Sequence, residues 1–332
     1  MIKPRRREGF MKSQNASIEN QVSFLEVSKK YFPYAFLVVM FVTFTLLNPS
    51  FVNPGNLINI LEQSTVILTM GMGATFVIIS GSIDLSVGSI VGLSATLMSM
   101  TAAKLGYFSI ILGILAGIIC GILNGLIYSK TKIPSFIATL GMRESIRGIM
   151  YIIAAGRVTL LTGPVRILGT NRLIPFVPNI FLGFLVVFAA CYLLFNYTPF
   201  GRNARAIGGN EEVSMLSGIN LIKTKMLVYT LGGLTCGIAG AFAGIRLGAA
   251  SPVLGSGYEL DVIAAIVLGG TPQSGGVGKL TGTIIGGLIM GILANGMNMA
   301  GINSYYQQFI RGIVVIVAVI VTIDRKNSKF VK

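Results

Sequence analysis

Six polar residues interrupt long apolar stretches of this sequence, and they are the side chains best suited to chemistry. A carboxylate, amide or hydroxyl inside an apolar helix can contact a polar solute or an ion, so such residues suggest a substrate path or a gate. Hydrogen bonding between helices, or capping of a helix start, explains them as well, and both interpretations stay open. The six are Glu62, Asp84, Ser86, Asn124, Asp261 and Asn295.

Catalytic and metal-binding chemistry is not expected of this sequence. Histidine, the commonest general base and metal ligand, is absent. Cys120, Cys191 and Cys236 are far apart and each lies in an apolar run, so we interpret them as small buried residues. Residues 275–279 resemble a phosphate loop, but Leu280 stands where that motif needs Ser or Thr. We therefore predict no catalytic residue, no metal and no cofactor.

A charged group, Arg143, Glu144 and Arg147, interrupts one of the apolar runs. We interpret it as an internal ion-pair cluster rather than as a substrate site.

The longest internal polar stretch, residues 198–224, contains a candidate for a short amphipathic helix at residues 211–216. Asn210 can cap its start, two acidic residues occupy its first turn, and Gly218 can end it. Three apolar residues recur at every third position and predict a small apolar surface, which either lies on a membrane or docks into a partner. They are Val213, Leu216 and Ile219.

The elements that must position these residues are predicted to be membrane-spanning helices. The chain is 53% hydrophobic and 11% charged, against roughly 25% charged in a typical soluble domain. Several apolar runs approach the ~20 residues that cross a bilayer as a helix. The sequence predicts an all-α integral membrane protein with about ten transmembrane helices. The predicted runs are 31–47, 57–80, 88–103, 107–129, 134–155, 179–197, 225–248, 258–270, 280–300 and 307–323. The run at 258–270 is too short to cross alone and is predicted to be a broken or re-entrant helix.

The distribution of basic residues predicts the orientation. Although the net charge is +15, basic residues concentrate near the two ends and in loops, as the positive-inside rule expects. Residues 1–30 and 325–332 are therefore predicted to be cytoplasmic tails on either side of a transmembrane domain at 31–324. The 20-residue loop after the fifth run, with Arg157, Arg166 and Arg172, is an exception to the rule. No soluble domain remains to hold a duplex, so nucleic acid is not a predicted partner.

An internal echo suggests that residues 57–155 and 225–323 are repeats. Residues 83–88, 121–125 and 147–149 are echoed, in the same order, by residues 259–264, 291–296 and 311–313. Because five spans separate the two sets, the repeats would be inverted in the membrane, as in many transporters.

Longer blocks of the sequence carry a resemblance to a known family. These blocks are residues 81–89 (GSIDLSVGS), 201–220 (GRNARAIGGNEEVSMLSGIN) and 257–270 (GYELDVIAAIVLGG), followed by 275–280, 295–296 and 305–307. In this order and spacing, over roughly residues 32–324, the chain resembles the permease subunits of bacterial ABC importers for ribose, xylose, galactose and related monosaccharides. Ser82 departs mildly from the family's usual glycine. Related permeases for autoinducer-type sugars and nucleosides share much of this pattern, so the resemblance does not fix the substrate.

The resemblance implies a multi-pass protein of the bacterial cell (inner or plasma) membrane that moves a ribose-like monosaccharide inward by alternating access. It implies four kinds of partner: a cytoplasmic ATPase subunit, an extracytoplasmic sugar-binding protein, a second permease copy forming a homodimeric pore, and membrane lipid. ATP hydrolysis would take place on the partner chain, so the permease would not be an enzyme. The segment that would couple to the ATPase carries over onto Gly209, Asn210, Glu211, Glu212, Ser214, Leu216, Ser217 and Gly218.

Two other classes of protein compete with this interpretation. A secondary transporter also uses inverted repeats, and would need Glu62, Asp84 or Asp261 to bind a coupling ion. It would have no use for a cytoplasmic docking surface. An integral membrane enzyme is disfavoured because the sequence has no histidine and no metal-ligand cluster.

Overall fold

The computed structural model describes residues 31–131 and 133–322, so the predicted tails at 1–30 and 325–332 lie outside the described residues. The described part contains thirteen α-helices. They are α1 (Tyr31–Leu47), α2 (Pro54–Ile79), α3 (Val87–Leu105), α4 (Phe108–Thr131), α5 (Ser135–Ile153), α6 (Ile167–Thr170), α7 (Asn179–Tyr197), α8 (Pro199–Gly209), α9 (Glu211–Leu216), α10 (Leu221–Leu247), α11 (Tyr258–Leu268), α12 (Leu280–Met299) and α13 (Ser304–Thr322).

The predicted helical class is confirmed, and each of the ten predicted runs overlaps one helix, although several helices begin or end a few residues outside the predicted bounds. Five helices, α2, α4, α7, α10 and α12, are long and apolar enough to cross a membrane. Helix α11 has only 11 residues, in agreement with the short run predicted there. Its first turn carries Glu259 and Asp261, which are both buried.

Local chemistry fixes where helices begin and end. The Asn53 side chain accepts a hydrogen bond from the Gly55 amide at 3.0 Å and caps α2, whose first residue is proline. At the other end, Gly81 adopts a φ of 77°, which favours glycine. The amides of Gly81 and Ser82 then donate to the carbonyls of Ile78 and Val77. This hydrogen-bonded stop separates α2 from α3 by a non-helical connection at residues 80–86.

A two-stranded antiparallel ribbon joins two connections that are distant in sequence. Strand β1 (Thr159–Leu160) pairs with β2 (Ala249–Ala250), with Thr159 opposite Ala250. The ribbon ties the long segment between α5 and α7 to the chain that follows α10. Strands this short were not predicted from the sequence.

Glycines let the central helices approach one another closely. A Cβ atom on Gly121 of α4 would collide with the Tyr229 carbonyl of α10, and would lie 3.0 Å from the Gly233 Cα atom. A Cβ atom on Gly73 of α2 would lie 2.9 Å from the Gly232 Cα atom of α10. Small residues are the usual means of close helix packing in membranes.

The same packing pattern occurs in the two predicted repeats. Helix α2 packs on α12 and α10 packs on α4, while α2 and α10 contact each other. Helix α3 packs on α4 and α5, and α11 packs on α12 and α13. The first helix of each half therefore packs against the third helix of the other half.

Candidate coupling surface and polar clusters

The segment between α7 and α10 forms two helices rather than the one that was predicted. Helix α8 was missed, although Thr198 followed by Pro199 is a recognisable start: the Thr198 hydroxyl accepts from the Gly201 amide at 3.4 Å. Arg205 fixes α8 to the end of α7, because its guanidinium donates to the Phe195 carbonyl at 3.0 Å and lies over the Phe195 ring. The residues that lead into α9 are therefore helical as well.

Helix α9 spans the predicted residues, and its predicted cap and stop are both confirmed. The Asn210 side chain accepts from the Val213 amide at 3.0 Å. Gly218 has a φ of 82°, and the amides of Gly218 and Ile219 donate to the carbonyls of Met215 and Ser214. Both ends of this six-residue helix are thus held by their own sequence.

The outer face of α9 is apolar and uncovered. Val213 is 57% exposed, Met215 56% and Leu216 84%. Ile219 was predicted to belong to the same surface, but it is half-buried. Met215 was not predicted, because it does not follow the three-residue spacing of Val213, Leu216 and Ile219. We call Val213, Met215 and Leu216 the α9 apolar face.

The inner side of α9 is anchored to the helical bundle. Ser214 is buried and its hydroxyl donates to the Asn210 carbonyl at 2.8 Å. The Lys225 ammonium of α10 lies 2.7 Å from the Glu211 carboxylate and also over the Tyr128 ring of α4. The remaining residues of the predicted coupling segment, Gly209, Glu212, Ser217 and Gly218, are exposed. Helix α9 is therefore in direct contact with α10.

Three of the six intramembrane polar candidates form one buried cluster. Asp84 lies in the 80–86 connection, where its Oδ1 accepts from the amide and the hydroxyl of Ser86 at 2.8 and 2.6 Å. The Asn124 amide nitrogen of α4 donates to the Ser86 hydroxyl at 2.7 Å. Asp84, Ser86 and Asn124 are 6% exposed or less. Asp84 therefore holds the turn that precedes α3, although no side chain caps the first amides of α3 itself.

Helix α5 holds the same connection from the other side. The Ile83 amide donates to the Ser135 hydroxyl and the Leu85 amide donates to the Thr139 hydroxyl, both at 3.1 Å. The Tyr229 hydroxyl of α10 donates to the Ile83 carbonyl at 3.3 Å. A non-helical backbone inside a helical bundle needs such partners, since its amides and carbonyls have none of their own.

The other three candidates have different partners. Asp261 lies 3.2 Å from Arg311 of α13. The side-chain amides of Asn295 and Asn56 exchange two hydrogen bonds of 3.0 Å. Glu62 lies 3.4 Å from Arg172, in a cleft that is also lined by Arg246. The structure thus does not bring the six candidates together into one site.

The charged group in α5 is only partly the internal cluster that was predicted. Arg143 lies 3.1 Å from the buried Glu259 of α11. Arg147 donates to the carbonyls of Pro252 and Leu254, both at 2.8 Å. Glu144 instead has a side chain that is 68% exposed, with one ion-pair contact of 3.7 Å to Arg143.

Metal chemistry finds no support among the described residues. In residues 31–131 and 133–322, no three His, Cys, Asp or Glu side chains lie close enough to hold a metal ion. The three cysteines are free and buried, as predicted.

Comparison with known proteins identifies the family. Residues 56–319 match the family model described as branched-chain amino acid transport system / permease component. The ribose import permease protein RbsC of Bacillus subtilis (strain 168) is 41% identical over 96% of this chain and 100% of that relative. RbsC of Escherichia coli (strain K12) is 39% identical over 88% of this chain and 92% of its own length. The L-arabinose transport system permease protein AraH of Escherichia coli (strain K12) is 34% identical over 96% of this chain and 97% of its own length.

No solved structure matches the chain. The resemblance to sugar importer permeases, predicted from residues 81–89, 201–220 and 257–270, is confirmed by the family match and by these relatives. Members of this family are transport subunits and not enzymes. The chain therefore belongs to the ABC importer permease family that the branched-chain amino acid transport system / permease component model describes, and it is a multi-pass membrane protein.

Proposed function

We propose that this chain is the permease subunit of an importer that carries a ribose-like monosaccharide into the cytoplasm, driven by ATP hydrolysed on a separate ATPase subunit. The α9 apolar face is the observation that carries this proposal. Three large apolar side chains on a six-residue helix with two fixed ends make a surface suited to a protein cleft. A secondary transporter has no use for such a surface.

In this proposal, α9 transmits the ATPase movement to the membrane helices. The Glu211–Lys225 ion pair joins α9 to α10, and α10 packs along α2, α3 and α4. Closure of two ATPase subunits around ATP would displace α9, and α10 would pass the displacement to both halves of the bundle. Alternating access would follow, because the packed helices move as bodies rather than deform.

We further propose ten spans, with both tails cytoplasmic and with residues 57–155 and 225–323 as inverted repeats. Equivalent helices pack in the same way in the two halves, which supports the repeats. The packing of α2 on α12 corresponds to that of α10 on α4, and the packing of α3 on α5 corresponds to that of α11 on α13. In this topology α9 and the C-terminal end of α2 are on the cytoplasmic side. The segment with Arg157, Arg166 and Arg172 is then extracytoplasmic.

The substrate and the partners are proposed from the relatives. Two relatives are named for ribose import and one for L-arabinose transport, so we expect a pentose. The same family origin supports an extracytoplasmic sugar-binding protein and a second copy of the permease. Membrane lipid would cover apolar helix faces such as that of α7, where Val186 is 71% exposed.

The intramembrane polar residues are proposed to act at a gate rather than as a high-affinity sugar site. Asp84, Ser86 and Asn124 hold the 80–86 connection, and Asp261 holds α11 to α13. Two contacts hold the N-terminal part of α2 to neighbouring segments, one between Glu62 and Arg172 and the other between Asn56 and Asn295 of α12. Because these side chains already have partners, the high affinity for sugar would belong to the binding protein.

Purification together with a candidate ABC ATPase subunit from the same organism tests the proposal. We expect a stable complex whose ATP hydrolysis rises when one sugar-loaded binding protein is added, and whose liposomes accumulate that sugar. A chain that purifies alone and moves sugar down an ion gradient would instead identify a secondary transporter. The sugar that stimulates hydrolysis also tests the expectation of a pentose.

A further inference from the structure

Three charged residues join the two halves of the chain at the start of α11. Glu259 lies in the first turn of α11 and is buried. Its Oε1 atom lies 3.1 Å from the Nη2 atom of Arg143 in α5. Arg147 follows Arg143 by four residues, about 6 Å along the same face of α5. Both arginines belong to the first half and Glu259 to the second, so these charges connect helices of different halves.

Two of these three residues are incompletely paired. The Nη1 atom of Arg147 donates to the carbonyls of Pro252 and Leu254, both at 2.8 Å, but its Nη2 atom is buried without a partner among residues 31–131 and 133–322. Within the same described residues, the buried Oε2 atom of Glu259 also has no hydrogen-bond partner. Folded proteins rarely leave a buried donor and a buried acceptor unpaired without a reason. The unused donor belongs to a cation and the unused acceptor to an anion, so the two atoms suit each other.

Glu259 and Arg147 are close enough to change partners with a small movement. The Glu259 carboxylate already acts electrostatically on the Arg147 guanidinium. Gly88 of α3 leaves room for the carboxylate, since a Cβ atom there would lie 2.6 Å from Oε2. A guanidinium presents several N–H donors in a fixed fork, so Nη2 of Arg147 can bind Glu259 while Nη1 keeps the two carbonyls. Arg147 is therefore a second partner for Glu259, one helical turn from the first.

The connection before α11 is built so that α11 can turn about a fixed point. Gly255 and Gly257 have φ values of 80° and 83°, a region that favours glycine. Both lie between the carbonyls that Arg147 binds and the first residue of α11. Hinges absorb changes of φ and ψ at a few positions of this kind, next to the end of an element. Arg147 thus holds the connection, and the two glycines permit the 11-residue helix to change its tilt.

We propose that Glu259 exchanges Arg143 for Arg147 when the permease changes orientation, so that α11 has two defined positions between the halves. In the position described here Glu259 binds Arg143, and in the other it binds Arg147. The carboxylate keeps a cationic partner in both positions, so neither position leaves a buried charge unpaired. The two positions then differ little in free energy, as alternating access requires. Glu259, Arg143 and Arg147 are positioning residues, and none of them needs to contact the sugar.

A second ion pair on the same turn of α11 provides the matched control. Asp261 lies 3.2 Å from Arg311 of α13. Helices α11 and α13 belong to the same half and pack on each other. We expect this ion pair to be kept in both positions, so that α11 and α13 move together while the partner on α5 changes. Coupling between Asp261 and Arg311 should therefore be independent of the state of the transporter.

This inference rests on the proposed function, and double-mutant cycles test it in the reconstituted complex of permease, ATPase and binding protein. Unfolding temperatures are measured without nucleotide and again after trapping with ATP and vanadate. Glu259→Gln is combined in turn with Arg143→Met and with Arg147→Lys, and Asp261→Asn with Arg311→Met is the control. Glu259 should be coupled to one arginine in one state and to the other arginine in the second state, with deviations from additivity of at least about 2 °C. The same pattern of coupling in both states would overturn the exchange.

Basal ATP hydrolysis by the complex gives a second test, which a purely structural role would not satisfy. Loss of the partner in one position favours the other position, so Arg143→Met and Arg147→Lys should shift the equilibrium in opposite directions. Lysine at position 147 keeps a donor for the carbonyls but loses the second arm of the fork. One variant should hydrolyse ATP about threefold or more faster than the wild type, and the other slower by a similar factor. Arg143→Gln replaces Arg143→Met if the methionine variant does not assemble.

The outcomes separate the exchange from the proposed function. Rates that change in the same direction in the two arginine variants, or that stay at the wild-type value in both, would contradict the exchange. Uptake of ribose by the wild-type complex is measured alongside. A wild-type complex that carries no sugar would refute the proposed function, whereas an active complex with identical coupling in both states would refute the exchange alone.

Discussion

Shortening Leu216 to alanine should weaken ATPase binding without affecting the fold of the permease. Burial of a whole leucine side chain contributes about 1.5–3 kcal/mol. Leu216 is 84% exposed, so complete coverage by the ATPase would contribute about 1.3–2.5 kcal/mol. At ~1.4 kcal/mol per tenfold change, loss of this whole contribution would raise the Kd for the ATPase by about 8- to 60-fold. Because alanine keeps the Cβ atom, that range is an upper bound for Leu216→Ala, and we expect a rise of about fivefold or more. An exposed substitution of this kind usually changes folding stability by no more than ~0.5 kcal/mol.

The assay is titration of the purified ATPase onto the permease in lipid nanodiscs, with thermal unfolding of the permease measured in parallel. Leu193→Ala is the matched control, because Leu193 is 57% exposed on α7 and has no proposed protein partner. It should leave the Kd unchanged. If Leu216→Ala binds the ATPase within threefold of wild type, the α9 apolar face is not the docking surface. If it lowers the unfolding temperature strongly, the exposed position assigned to Leu216 is wrong.

Three further predictions concern contacts that hold the fold. Asn210→Ala should destabilise α9 by about 0.5–2 kcal/mol, because the helix loses the side chain that caps its start. We expect faster amide hydrogen exchange in α9, and unchanged exchange would contradict the role of Asn210 as a cap. Arg311→Met should leave Asp261 buried without its partner, at a cost of about 3–5 kcal/mol. Adding Asp261→Asn should restore most of the lost thermal stability, and a double variant as unstable as the single one would argue against the ion pair. Gly121→Ala should lower the stability of the fold by about 1–3 kcal/mol through overpacking. The control is Gly312→Ala, where an added Cβ atom would meet nothing within 4 Å, so the unfolding temperature should be equal or higher. Equal losses of stability in both variants would refute the close packing of α4 on α10.

The features that were predicted well from the sequence depend on residues that lie close together along the chain. Apolar runs defined the long helices because each helix satisfies its own backbone hydrogen bonds, whatever surrounds it. The ends of α9 were predicted because Asn210 and Gly218 act within one turn of the helix they bound. Helix α8 was missed even though its start carries a local signal, Thr198 followed by Pro199.

The partners of the polar residues could not be predicted from the sequence. Asp84 and Asn124 are 40 residues apart, and Asn56 and Asn295 are 239 residues apart. Any carboxylate or amide in an apolar helix needs a partner, but many candidates satisfy that need equally well. The helix crossings, set by glycines such as Gly121 and Gly233, select the partner.

Helix α5 shows most clearly which features the sequence determines and which features only the tertiary structure decides. By itself the sequence determined the membrane class, the helices of the ten apolar runs, the family and the short capped helix α9, because these follow from composition, local hydrogen bonding and extended motifs. Helical geometry places Arg143 and Arg147, four residues apart, on one face, but it also places Glu144 three residues before Arg147, so the spacing alone leaves the orientation of Glu144 open. Only the tertiary structure decided which face was buried: Glu259 and the carbonyls of Pro252 and Leu254 bind the two arginines. Glu144 is consequently left on the outer surface, since the rotation of α5 is fixed by the segments packed against it.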